Sequence, residues 1–600
     1  MSVNYEEAVK STFIGKLKSV FLVDDAFPTY SEMFGDRANL DKFGEHDRAR
    51  KLYTAFRGNH LPCDIENTFT SGDLHMVERL RKCDLVVLDF HLDGEGGDNS
   101  KSIEILRKLA DSPHFNTVVV YTNADLKEVW LDVAANLRPD LRLDPYLSAN
   151  EIEAAWWASV DIDKLLLPTS DALASYLTRG IDAVDGNAKR EMVARIKETL
   201  GDEKGTKEDG KRKPNLGTMT EILLRRATDK RRPAVIGRLD QEDRLGPRSL
   251  QGKYAPDGPH WLQCRGCFIA IVKKSDADNE ADLLMSGLRS ALLDWKPNFL
   301  QILVSEIQNR LELDSVAADP KVFSEANRQV ALSHYLLEQL DANEDPESAI
   351  ESVIDRIVET LRLRISSDSR IREFAGKVLA DIRSGLGDKL VQGDPMAKAA
   401  ALAHVEDRVD PNGVISFLNA FVSTETFSKS RITTGSVFSV GEEFWMVATP
   451  ACDLTSRSPG AAQEWMKNIH PIRAMTAIRL RKKKLQDALK KATQGRHAFI
   501  LHQDETLCLS LLDHTTATPD PEVFFTLESG KVTSVEGGLP TFRAIRVLRA
   551  DNAPQLSEAA EYTVIGQLRP NYASRVLQLT GAHLSRIGID FFNVGDDRDE

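Results

Sequence analysis

The chain has 600 residues, 42% hydrophobic and 28% charged, with 36 glycines and 24 prolines. At about 100–200 residues per domain this predicts roughly three to five domains. The composition excludes a disordered chain, a collagen-like repeat and a mostly membrane-embedded protein. Lys+Arg of 77 against Asp+Glu of 91 gives a net charge of −14, so binding to nucleic acid or anionic lipid needs a local basic patch.

Six cysteines (Cys63, Cys83, Cys264, Cys267, Cys452, Cys508) are scattered along the chain, which is no disulfide framework and suits a reducing compartment. Met1–Asp25 carries early acids and no sustained apolar run, unlike a secretory signal. No run approaches the roughly 20 apolar residues of a membrane span. The expectation is a soluble cytoplasmic protein.

Residues 1 to about 125 alternate short apolar runs with helical patterns. Ser19–Val23, Asp84–Leu88 and Thr117–Tyr121 are nearly continuous aliphatic stretches, the pattern of strands buried on both faces of a parallel sheet. Cys63–Phe69 is a weaker fourth strand. Asp73–Cys83 and Ser100–Leu109 are amphipathic at helical spacing. The alternation predicts a doubly wound α/β sheet for residues 1–160.

Residues 161–235 read as helical, interrupted by the polar linker 201–214 (GDEKGTKEDGKRKP). Residues 236–425 open with a strand at Trp261–Val272 and continue as a long helical region, with Leu283–Trp295 and Phe299–Leu311 its clearest segments. Residues 426–600 read as mostly β with two helices, a pattern compatible with a small barrel. Gly435–Pro450 predicts two strands around a Gly-Glu turn. Further strands are expected at His497–His502, Thr506–Leu512, Val523–Leu527 and Phe542–Leu548, with helices at Ile472–Lys491 and Tyr572–Ile587.

The chemistry lies at the strand ends of the first domain. Asp24 and Asp25 follow the first strand, Asp89 ends the third and Thr122 ends the fourth. Carboxyl ends of parallel strands gather on one sheet edge, where ligands bind at the topological switch. Three carboxylates there repel one another, and Mg²⁺, which takes carboxylates and waters, resolves that repulsion.

This arrangement resembles the receiver domain of bacterial response regulators. The resemblance implies that Asp24, Asp25 and Asp89 hold Mg²⁺, that Asp89 accepts a phosphoryl group from a histidine-kinase-type ATPase, and that Thr122 is the switch hydroxyl. A carboxylate nucleophile with metal and hydroxyl stabilising the transferred charge is sound chemistry. The family also places a Lys after its fifth strand. No Lys occurs between Lys127 and Lys164, and no clear fifth strand appears there. Arg138 or Arg142 supplies that charge, or the site is a weakened one. Asp93 stands where the family commonly has Pro, and residues 26–62 are long for a single crossover.

Other motifs carry less. Cys264 and Cys267 form one CxxC after His260, and zinc needs four ligands, so two small residues in a strand is the better reading. Cys452 beside Asp453 reads as a buried Cys in a tight turn, since His470, His497 and His502 are not placed by spacing. Arg473–Arg496 is a basic island containing Arg479, Arg481, Lys482, Lys483, Lys484, Lys490 and Lys491. It is a candidate surface for a partner or for nucleic acid. A solvated helix face packed on the β domain is favoured over nucleic acid.

The turn Ala448–Leu454 and the stretch Leu568–Phe591 resemble segments of receiver-bearing proteins from bacterial conflict operons, which implies a role in defence against phage. The expected protein is thus a response-regulator-like chain with a C-terminal output module. The alternatives are a non-phosphorylated pseudo-receiver scaffold and an effector whose basic helix binds nucleic acid. Self-association is compatible with the resemblance.

Overall fold

The computed structural model describes residues 4–585 apart from 35–41, 70–73, 93–97, 113–114, 160–167, 201–214, 233–249, 256, 314–324, 343–345, 388–389, 391–393, 406–408, 455–468, 470, 503–504, 514–516, 535–537 and 549–552. The expected linker 201–214, Asp93 and His470 lie outside the described residues. The chain forms two compact units, one of residues 1–309 and 374–385, the other of 310–373 and 386–600.

In the N-terminal unit the apolar runs become β1 (Val20–Val23), β2 (Cys63–Glu66), β3 (Leu85–Leu88) and β4 (Asn116–Thr122). β1, β3 and β4 are buried at every residue, as expected of strands covered on both faces. The single strand expected at Trp261–Val272 is instead a hairpin of β6 (His260–Cys264) and β7 (Cys267–Lys273), preceded by β5 (Leu250–Lys253). The reason is local. Arg265 takes a left-handed φ of 50° before Gly266, and the chain reverses there. Cys264 and Cys267 become cross-strand partners, both fully buried, so the CxxC is core.

Sheet order is β2-β1-β3-β4-β7-β6-β5. The first five of these run parallel, and β6 and β5 extend the sheet antiparallel. β7 is therefore the fifth parallel strand, and residues 123–266 are an insertion between it and β4. The boundary expected at residue 160 falls inside this unit, because β7 hydrogen-bonds along the whole length of β4.

The insertion is mostly helical, as expected, with helices including Leu126–Asn136, Ser170–Arg179 and Leu216–Asp229. Trp130, Leu173, Tyr176 and Leu224 share one apolar core with the sheet. Trp130 Nε1 donates to the carbonyl of Trp261 at 3.0 Å. The helix Glu280–Trp295 packs on β7 through a stripe of Leu284, Leu288, Leu292 and Trp295. Gly287 permits that approach, since a Cβ there would sit 2.9 Å from a Val272 methyl.

In the C-terminal unit, helices such as Ala326–Ala342 and Pro346–Ser367 lead to a β region. Its strands are β8 (Thr424–Glu425), β9 (Ser436–Val440), β10 (Glu443–Val447), β11 (Arg473–Lys482), β12 (His497–His502), β13 (Glu505–Ser510), β14 (Pro521–Thr526), β15 (Thr541–Leu548), β16 (Gln555–Leu556) and β17 (Ala560–Leu568). The order β10-β9-β17-β15-β14-β11 closes because β11 also pairs with β10, giving a barrel of six strands; β13 and β12 extend from β11. Phe438, Trp445, Phe524, Phe542 and Tyr562 fill it.

One expectation is corrected here. The segment expected as a helix over Ile472–Lys491 is mostly the strand β11, followed by the short helix Leu485–Leu489. Met475 and Ala477 pack into one cluster while Ile478 and Leu480 pack into another, so apolar residues are needed on both faces at period two. Neighbouring strands then satisfy the backbone, and tertiary pairing overrides the helix-forming Ala, Lys and Leu content.

Candidate functional site: the carboxyl edge of the N-terminal sheet

A cleft of about 500 Å³ opens at the carboxyl ends of β1, β3, β4 and β7, and Asp24, Asp25, Asp89 and Thr122 all line it. Parallel pairing explains the convergence. β1 lies between β2 and β3, in register Val23↔Glu66 and Val23↔Leu88, so the residues that follow end at one level. The backbone N–H of Asp24 donates to Glu66 O at 3.1 Å and that of Asp89 to Val23 O at 2.8 Å, which extends the ladder by one residue under each carboxylate.

Asp24 and Asp89 are buried, and oxygens of Asp24, Asp25 and Asp89 lie within 4.8 Å of one another. Asp24 Oδ1 accepts from the N–H of Ala26 at 2.9 Å. Asp89 Oδ2 accepts from the N–H of His91 at 3.0 Å. Thr122, the last residue of β4, is buried, and its Oγ1 accepts from the N–H of Ala124 at 3.1 Å.

The cation missing from residues 127–164 is Lys274, the residue after β7. Its N–H donates to Thr122 O at 2.9 Å. Its Nζ lies 2.8 Å from Asp24 Oδ2, 2.9 Å from Glu45 Oε2 and 3.1 Å from Asp89 Oδ1. The preceding Lys273 turns its Nζ to the carbonyls of Asn123 and Ala124, tying down the loop after β4. Neither Arg138 nor Arg142 lines the cleft. Arg138 pairs with Asp140 at 2.8 Å and donates to Leu177 O. The insertion of residues 123–266 carries the fifth parallel strand to Cys267–Lys273, away from both arginines in sequence.

Two groups escaped sequence reasoning. Lys274 carried a usable signal, an ionisable residue just past the apolar run Cys267–Val272, which is the rule that finds Asp24 and Asp89. Glu45 carried none. It precedes the helix His46–Gly58, whose Ala49, Leu52 and Phe56 are buried, and only packing turns it to the cleft.

One ammonium thus faces several carboxylates. Burial pushes the Asp24 carboxyl up to about 7, with Asp89 and Glu45 adding to the rise against the pull of Lys274. Burial also raises Asp89, aided by Asp25 and opposed by Lys274. For Lys274 burial alone would lower the ammonium, but Asp24 and Asp89 outweigh it and hold it above its usual range. The shifts agree physically. A single cation stays charged among acids it cannot fully neutralise, so the buried acids favour a proton.

Two arginines of the basic island are taken up by acids of the barrel. Arg479 pairs with Glu443, and Arg481 lies 2.7 Å from Asp513 and 3.7 Å from Asp520. Lys482, Lys483, Lys484, Lys490 and Lys491 are exposed. The expected basic helix is therefore corrected to a strand over Arg473–Lys482, whose Arg479 and Arg481 pair with the barrel's own acids. Cys452 is exposed rather than buried, in the short helix Ala451–Leu454, with its Sγ 3.5 Å from Asp453 Oδ1.

Among the described residues no helix is long and apolar enough to cross a membrane. No curated protein and no solved structure matches the chain. Residues 16–164 match a family model described as a response receiver domain. The match ends well before β7 and Lys274, yet those residues complete the sheet and the edge that the family match begins. The N-terminal part of this chain is a response receiver domain, with a parallel-sheet α/β fold and a response-regulator-like signalling role.

Proposed function

We propose that the receiver accepts a phosphoryl group on Asp89 from a histidine-kinase-type partner and that the change is relayed through the helical segments to the β-barrel region. The observation that carries this reading is the Lys274 ammonium beside both Asp24 and Asp89 at the sheet edge. That residue supplies the Lys that the receiver pattern calls for and residues 128–163 lack.

Asp24, Asp25 and Asp89 would hold Mg²⁺. Their hard oxygen donors are close together, those of Asp24 and Asp89 buried, and Lys274 alone leaves surplus negative charge, which suits a divalent cation. When bound, the ion offsets charge on the transferring phosphoryl oxygens. The chain's own groups do the rest. An Asp89 oxygen attacks phosphorus as the P–N bond to the donor histidine breaks and the imidazole departs with the electron pair. Lys274 and the Thr122 hydroxyl are placed to meet the new acceptor oxygens. The modification adds about −1.5 to −2 charge, enough to bias a two-state surface.

The four segments 1–160, 161–235, 236–425 and 426–600 are kept as working functional divisions of this relay, with β7 returned to the first. A place in defence against phage rests on the resemblance of Ala448–Leu454 and Leu568–Phe591, of which the stretch beyond residue 585 lies outside the described residues.

The test is incubation of the full chain with Mg²⁺ and acetyl phosphate, followed by a search for a hydroxylamine-labile adduct on Asp89. Its appearance supports phosphoryl transfer. Its absence, with the cognate kinase as well as with acetyl phosphate, leaves the receiver as a docking scaffold that works unphosphorylated.

A further inference from the structure

Lys274 is shared with a carboxylate outside the Asp cluster. Glu45 Oε2 lies 2.9 Å from its Nζ, a contact as close as the one to Asp24. Glu45 is itself held from behind. Arg48, one turn along the same helix, pairs with Glu45 through Nη1 and places its Nε 2.7 Å from Glu280 Oε1. Its Nη2 also reaches Asp276 at 2.6 Å. Glu280 is buried and accepts from the Tyr121 hydroxyl at 2.5 Å, and that hydroxyl accepts from the N–H of Ser275 at 3.2 Å. Tyr121 adjoins Thr122, and Ser275 adjoins Lys274. The contacts therefore close a ring that begins and ends at the lysine.

We infer that Glu45 is a positioning residue that competes with the phosphoryl group for Lys274, with Arg48 setting the strength of that competition. The inference rests on Asp89 accepting a phosphoryl group. At rest Glu45 shares the ammonium and adds negative charge to a cleft that an anionic donor must enter. On transfer the acetyl phosphate bridging C–O–P linkage breaks at its O–P bond and acetate leaves with the electron pair. The new Asp89 O–P bond then presents anionic oxygens to Lys274. For Lys274 to serve them it must give up Glu45, which Arg48 is placed to retain. Two charges a few ångströms apart still interact after solvent screening strongly enough to change a rate measurably.

The experiment uses the full chain with Mg²⁺ and acetyl phosphate and reads the initial rate of hydroxylamine-labile adduct formation. Glu45→Gln is expected to accelerate it by about three- to tenfold, and Glu45→Asp to stay near the wild-type rate. Arg48→Gln leaves the full Glu45 charge on Lys274 and is expected to slow it by about threefold, while Arg48→Lys restores it. Opposite signs from two members of one ion pair distinguish positioning from general damage, which would lower both rates. Should Arg48→Gln fail to fold, as seen by circular dichroism, the near-isosteric Glu45→Gln and Glu45→Asp decide alone. An adduct on wild type with no acceleration in Glu45→Gln overturns this inference and leaves the phosphoryl reading standing. No adduct on wild type, from acetyl phosphate and from the cognate kinase alike, overturns both.

Discussion

Two clusters of charge in this molecule look alike in a contact diagram and differ in stoichiometry. On the barrel, Arg479 and Arg546 meet Glu443 and Glu522. Arg546 Nη1 is 3.1 Å from Glu443 and its Nε 2.8 Å from Glu522, and Trp445 Nε1 donates to Glu522 at 2.9 Å. Two cations face two acids at a partly exposed surface, and the cluster is a brace. At the receiver edge a single Lys274 faces Asp24, Glu45 and Asp89, with Asp25 adjoining. Burial makes that imbalance costly, which fits the divalent cation proposed for this edge. The balance of charge, rather than the number of ion pairs, separates a site from a support.

The largest expected effect is total. Asp89→Asn should abolish the hydroxylamine-labile adduct while the chain stays folded, and no barrel substitution should do so. Persistence of the adduct would move the acceptor elsewhere.

Next is Lys274→Met. It leaves the buried Asp24 and Asp89 without their cation, while Glu45 keeps Arg48, and should cost about 3–5 kcal/mol in urea denaturation of the N-terminal unit. Mg²⁺ should recover part of the loss. A cost below about 1 kcal/mol would mean that solvent already screens the cluster.

A smaller effect is expected from pH. The folded Asp24 carboxyl sits near 7 against an ordinary 3.8, so between those values the native state binds more protons than the unfolded one and stability falls as pH rises. The raised Asp89 acts in the same sense. Glu45 is held below its ordinary 4.5, mainly because Lys274 and Arg48 outweigh burial; its stabilising contribution is lost only in more acidic solution. The raised Lys274 contributes throughout this range, its loss lying above its ordinary 10.5. Without divalent cation the N-terminal unit should therefore melt a few degrees higher at about pH 5.5 than at about pH 7.5. Mg²⁺ or Asp24→Asn should flatten that difference. An unchanged slope in Asp24→Asn would assign it to another group.

The finest comparison is one of sign. In cation-free solution Asp89→Asn relieves surplus charge and should raise stability by about 1 kcal/mol. Glu443→Gln, which breaks a balanced but half-exposed cluster, should lower it by under about 1 kcal/mol. Equal signs in the two urea titrations would erase the distinction between site and brace.

Much of the receiver was legible in the chain. β1, β3 and β4 are runs too apolar to be anything but buried strands; Asp24, Asp25 and Asp89 follow the first two and Thr122 ends the third, so strand ends located the acids. In the barrel, β9 and β10 were readable from their Gly-Glu turn, whereas β11 was misread because its helix-forming residues carry a two-faced strand pattern. That pattern makes sense only with neighbours on both sides.

The sequence by itself thus determined the parallel sheet and three of its converging carboxylates, because burial and period are local properties of a run. Only the tertiary structure decided what neutralises them. Lys274 reaches Asp24 and Asp89 because β7 pairs in register with β4, Thr122↔Lys273, across an insertion of residues 123–266. Glu45 reaches the same lysine through the packing of the helix His46–Gly58. Hydrogen-bond register and helix packing act between segments distant in sequence, so no spacing along the chain records them.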